Sequence, residues 1–233
     1  MFTLYKKELN YYLNNPIGYI VIVLFAAFAN FLFVKDLFVI GSASLQGFFG
    51  FIPWLFLVFI PAVSMRTFSE EKRLNTIEVL LTLPISETQV VLAKFFAILT
   101  LAIIGLVLTL GLPISLAFTA HVYLPEIFVG YLGAILLGGA MAGISIFFSS
   151  LTKNQVVAFL SSVLVIFFLL ILSTDFLASF LPGVVQDFIN NYGPLYHLQN
   201  FVKGVLDFRS LFYFLSLTAV FLFLTIVNLE KRD

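Results

Sequence analysis

Seven charged residues, Arg66, Glu70, Glu71, Lys72, Arg73, Glu78 and Glu87, crowd one short stretch of a chain that is otherwise poor in charge. Such alternation of cations and carboxylates suits ion pairing across a protein interface. The rest of the sequence removes the catalytic readings. No HExxH pair is present for a zinc protease, and Ser145 has no histidine within the apolar runs to activate it. No GxxxxGK[ST] loop is present to cradle a nucleotide, and no cysteine to bind a metal as thiolate. His121 and His197 fall near the ends of apolar runs, where a lone histidine is an interfacial polar residue rather than a ligand. The expectation is a non-enzyme with no metal and no cofactor, whose charged stretch receives force from another subunit.

That stretch has a definite design. Asn75 followed three residues later by Glu78 predicts a helix start, because the two side chains can cover unpaired backbone N–H groups. Pro84 biases Leu83 away from helical geometry, which leaves about 8 residues, roughly 12 Å, from Thr76 to Leu83. Ile77, Leu80 and Leu81 give this short helix a small apolar face. Ser86 and Gln89 form a second capping box, and Thr152 with Gln155 a third around Lys153 and Asn154.

The elements that must hold this stretch are membrane helices. The 233 residues are 61% hydrophobic and 10% charged, and mean hydropathy is +1.11. A soluble domain carries about 25% charge. Balanced charge, twelve basic against twelve acidic residues, also removes a nucleic-acid partner. Six apolar runs approach the ~20 residues needed to cross ~30 Å of hydrocarbon: Pro16 to Val34, Phe48 to Met65, Phe95 to Ala120, Ile127 to Ser150, Val156 to Thr174 and Leu211 to Leu229. Lys6, Lys7, Arg66, Lys72, Arg73, Lys94, Lys153, Lys231 and Arg232 then share one side, against Lys35, Lys203 and Arg209. The positive-inside rule predicts that both termini are cytoplasmic, with the N-terminus an uncleaved anchor.

Two segments are apolar on one face only. Phe2, Tyr5, Leu9, Tyr12 and Leu13 recur at helical spacing with Lys6, Lys7, Glu8 and Asn10 turned away, which predicts an interfacial helix over residues 1–15. On the far side, residues 176–208 carry two stripes, Phe180 to Tyr192 and then Leu195, Leu198, Phe201, Val202 and Val205. They read as a re-entrant pair or as an interfacial loop. Gly130, Gly133, Gly138, Gly139 and Gly143 favour packing of the fourth span within the chain, and Gly111 with Pro113 predicts a kink in the third. The charge-free runs count against a stand-alone, ion-coupled secondary transporter. A structural membrane anchor shares every feature except a need for the short helix.

The run Phe68-Ser69-Glu70-Glu71-Lys72-Arg73-Leu74-Asn75-Thr76-Ile77-Glu78-Val79-Leu80-Leu81-Thr82-Leu83-Pro84-Ile85-Ser86 resembles the cytoplasmic signature of ABC-2 type transporter permeases. Lys7-Glu8-Leu9, Tyr12 and Pro16-Ile17-Gly18-Tyr19 are similar to the short gliding-motility-associated permease subunits. The resemblance implies a type V ABC exporter-like, all-α membrane domain of six transmembrane helices spanning residues 1–233. It implies a cytoplasmic ABC ATPase subunit, a second permease copy or paralogue, an accessory envelope protein, the lipid bilayer as partners, and a bacterial inner-membrane location. Residues 1–15 become a connecting helix, 74–84 the coupling helix, 150–155 a second coupling turn and 176–208 an outer re-entrant segment. Glu70, Glu71, Lys72, Arg73, Thr76, Glu78 and Pro84, with Lys153 on the second turn, become the residues that meet or orient the ATPase. Where the family often has Gly before the Thr, this chain has Asn75, a residue that tolerates left-handed geometry.

Overall fold

The structure is a computed structural model that describes residues 1–40, 45–76, 85–119, 123–174 and 192–231. Among them every regular element is helical. Among the described residues six helices are long and apolar enough to cross a membrane, as the six apolar runs predict.

α1 (Phe2–Asn14) turns at Asn15 into α2 (Pro16–Ile40), where proline at the first position needs no hydrogen-bond partner. α2 outruns the predicted span, so Lys35 extends a helix rather than starting a loop. α3 (Gln46–Ser64) leads through Met65 into α4 (Arg66–Arg73), which carries the charged stretch as a near-continuation of the second span. After the undescribed residues 77–84, α5 (Glu87–Thr109) starts where the sequence placed its cap, with Ser86 Oγ accepting from the Gln89 N–H at 3.4 Å. The third span breaks at Leu110 and resumes as α6 (Gly111–Thr119). This is the kink expected from Pro113, which has no N–H for the Thr109 carbonyl.

α7 (Leu124–Leu151) is the most buried of the spans, and α8 (Gln155–Leu172) and α10 (Phe208–Glu230) are among the least. Its glycines explain the difference. A Cβ on Gly130 would collide with the Phe49 ring of α3, and one on Gly133 would lie 2.5 Å from Phe201 Cβ in α9 (Pro194–Val202). Gly139 and Gly143 meet α10 at Thr218 and Phe221. The stripe therefore packs this chain against itself, with backbones close enough to gain dispersion that lipid does not supply.

The far-side pair is described only in its second half. α9 buries Leu198 and Phe201 against the bundle, whereas Val205 lies beyond the helix end and is 56% exposed. His197 is buried there, with Nδ1 3.0 Å from Ser210 Oγ and its ring stacked on Tyr213. Asp207 caps α10 by accepting from the Arg209 N–H at 3.1 Å; that bond holds its carboxyl below the usual range. Residues 175–191, and His121 with them, lie outside the described set.

Candidate functional site

The charged stretch is knotted into the basic end of the bundle at two places. The first knot is ionic. Lys94, on the second turn of α5, is 2% exposed, and its ammonium donates to Glu8 Oε1 of α1 at 3.0 Å, Glu71 Oε1 of α4 at 2.8 Å and the Thr67 carbonyl at 3.0 Å. Three donors thus meet three acceptors from two other helices, with the cation also 5.2 Å from the Phe68 ring centre. An ammonium buried this deeply is tolerated only with such full pairing. Its partners set two carboxylates against one cation.

Both ends of that arrangement correct the sequence reading. Glu8, expected to face away, is buried on the stripe Leu4, Glu8, Tyr12. Lys94, counted only among the cations of the basic side, lies inside the helix that the Ser86 cap starts and is buried there instead of facing water. An ionisable group is therefore enclosed by the spans' basic ends, although the hydrocarbon runs were read as free of one. A charge flanked by Val90, Val91, Ala93, Phe95 and Ala97 was the signal available for it. α1 is further held by Tyr12, whose phenol donates to the Val63 carbonyl at 3.1 Å; burial pushes its pKa up and keeps it protonated.

The second knot joins α4 to the end of α7. Ser149 Oγ accepts from the Phe68 and Ser69 N–H groups at 3.1 and 3.2 Å and donates to the Met65 carbonyl at 2.9 Å. It thereby serves the first turn of α4 as a cap supplied from another helix. Lys72 Nζ donates to the Ser150 carbonyl, and Asn228 Nδ2 of α10 reaches the same oxygen at 3.0 Å. A cation and an amide thus cover a carbonyl at the negative end of α7. Ser149 and Asn228 carried no signal in the sequence, because their partners lie far away along the chain.

Both knots lie on one helix that follows the second span, the region where the charged signature was read. A family model for ABC-2 family transporter protein matches residues 15–229 of this chain. The chain belongs to that family. No curated protein matches it. The protein is thus a membrane permease of an ABC transporter, a class whose ATPase is a separate cytoplasmic partner.

The permease distributes the eight expected coupling residues unevenly. Glu71 and Lys72 are committed to the two knots. Glu70 holds Arg66 at 2.9 Å, accepts from the Tyr11 hydroxyl at 3.2 Å and lies 4.0 Å from Arg73. Arg73 has a 60% exposed side chain. Thr76 is exposed and its hydroxyl donates to the Glu71 carbonyl at 3.3 Å. Lys153 is exposed on the turn between α7 and α8. Glu78 and Pro84, with most of the expected coupling helix, lie outside the described residues. Asn75 has φ 55°, a left-handed residue between the end of α4 and the helical Thr76, which is the geometry that glycine would supply there. At the second turn Asn154, not Thr152, caps α8, accepting from the Val156 N–H at 2.9 Å.

Beside the ionic knot is a cleft of about 250 Å³ whose lining includes Lys7, Tyr11, Arg66, Glu70 and Leu74. Glu71 Oε2 is buried at its edge without a hydrogen-bond partner among the described residues. Among the described residues no group of three or more His, Cys, Asp or Glu is placed to hold a metal ion.

Proposed function

We propose that this permease couples ATP hydrolysis by a separate cytoplasmic ATPase subunit to export, or to mechanical transmission, across the bacterial inner membrane. The observation that carries the reading is the double tethering of α4. A push on the segment after Asn75 reaches α4 directly. Glu71 and Lys94 then pass it to α5 and α1, and Lys72 and Ser149 pass it to α7. A load arriving at one short helix is shared among several spans instead of bending that helix. Nine of the twelve basic residues mark this end as cytoplasmic under the positive-inside rule, with both termini there.

Two copies, or one copy and a paralogue, form the translocation unit, each docking one ATPase through the residues 74–84 and the turn at Lys153. The apolar spans suit an amphipathic cargo or a moved envelope protein, and likeness to the gliding-motility-associated permeases supports the latter, with an accessory envelope subunit. The test is a mild-detergent pull-down of the tagged protein from its native membrane with mass spectrometry of the partners. A P-loop ATPase in stoichiometric amount, lost on Glu78→Ala while the permease still inserts, is the expected result. A permease that comes down alone or only with itself overturns the proposal in favour of a membrane anchor or stand-alone transporter.

A further inference from the structure

The helical wheel of α1 has three faces. Leu4, Glu8 and Tyr12 point into the protein. Thr3, Asn10 and Asn14 form an exposed polar side, and between the two lie Phe2, Tyr5, Leu9 and Leu13. α1 runs alongside α5: Glu8 reaches Lys94 while Tyr5 reaches Thr100. Those six residues of α5 amount to about 9 Å, so the N-terminal end of α1 lies deeper along the third span than its middle.

At that end Met1, Phe2, Tyr5, Phe96 and Thr100 line an open groove of about 410 Å³. Phe2 is 76% and Phe96 42% exposed. The hydroxyls in the groove are already used. Thr100 Oγ1 donates to the Phe96 carbonyl at 2.7 Å and lies 2.9 Å from Tyr5 Oη, so the groove offers hydrocarbon and little free polarity. Lys6 follows Phe2 and Leu13 around the wheel, at the border between the apolar and polar faces. It is exposed, and none of the ion pairs among the described residues includes it. Lys7 turns the other way, into the cleft beside Glu71.

We propose that this groove holds an acyl chain of an anionic phospholipid from the leaflet on the basic side, with its phosphate met by the Lys6 ammonium. The apolar groove lies between α1 and the third span, beside a helix for which lipid is the solvent. A lysine at the edge of an apolar face extends its stem along that face and places its charge at headgroup level. A zwitterionic lipid offers the same chain without the net charge, so the site selects by headgroup charge. The inference is independent of the ATPase reading.

The chain has one tryptophan, Trp54, which makes a fluorescence test clean. In a Trp54→Phe background, Phe96→Trp places a reporter in the groove, Phe2→Trp repeats the reading from its other wall, and Phe168→Trp, at a 60% exposed site on α8, reports ordinary lipid. The full chain is reconstituted in phosphatidylcholine vesicles at low salt. These carry equal small fractions of chain-brominated phosphatidylglycerol or chain-brominated phosphatidylcholine. The expected result is an apparent preference for the anionic lipid of about fivefold at positions 96 and 2, the effect of one lysine near a membrane surface. Position 168 shows no such preference. Lys6→Glu abolishes the preference at positions 96 and 2 while quenching at position 168 stays unchanged, which separates loss of the site from misfolding. Equal quenching by the two lipids in the groove, or a preference that survives Lys6→Glu, overturns the proposal.

Discussion

Lys94 holds two carboxylates that otherwise face each other in the interior. Lys94→Met should cost on the order of 3–5 kcal/mol by leaving uncompensated buried charge, read as a fall in thermal unfolding temperature in detergent. Glu71→Gln in that background removes part of the repulsion, so the double variant should lose less than the two single losses added together. Strict additivity would contradict the triad. At the second knot, Lys72→Ala should destabilise clearly, whereas Arg73→Ala should stay within about 0.5 kcal/mol of the parent because its side chain is exposed. Equal effects in the same melts would show that Lys72 caps nothing. The charged signature was legible as a set, but the division of labour inside it was not. Glu71, Lys72 and Arg73 are adjacent in sequence and end in three environments, decided by what α5 and α7 bring to each. Lys94 and Glu8 were misread because a charge beside an apolar run looks the same whether it faces water or an opposite charge from a distant helix.

Helices were the most legible elements, since capping chemistry and proline act through neighbours in sequence. Ser86 caps α5 as expected, and the break at Leu110 lies just before Gly111 and Pro113. The third box failed because α8 begins at Gln155, so its cap falls on Asn154, two residues beyond Thr152. At Asn75 the helix that ends, α4, sets the backbone geometry, and its left-handed φ is what the family's glycine would supply. Packing glycines could be located by sequence but their neighbours could not. Gly130→Ala should destabilise by about 1–3 kcal/mol through collision with the Phe49 ring. Gly111→Ala, where an added Cβ meets nothing within 4 Å, should leave the unfolding temperature unchanged or slightly raised. A reversed order in the melts would mean that α7 does not pack as described.

For the molecule as a whole, composition sufficed for a polytopic membrane protein and the charge-free runs for its six spans, and the positive-inside count gives an orientation that labelling can test. The chain has no cysteine, so single cysteines at Lys153 and Lys203 report sidedness without background. Impermeant maleimide added to intact cells should modify position 203 and spare position 153 until the membrane is opened. The reverse pattern would invert the topology and move the knots to the wrong side for an ATPase. The measurement that tests coupling most directly is photo-crosslinking in native membranes, with a photoreactive amino acid placed at Arg73, at Lys153 and, as controls, at Tyr192 and Lys203. The expected result is a covalent adduct to a nucleotide-binding chain from positions 73 and 153, changing in yield when ATP is added, and none from positions 192 and 203. Adducts to such a chain from the control end, or none from positions 73 and 153 in membranes where the permease is intact, would contradict a force-receiving role for the tethered helix.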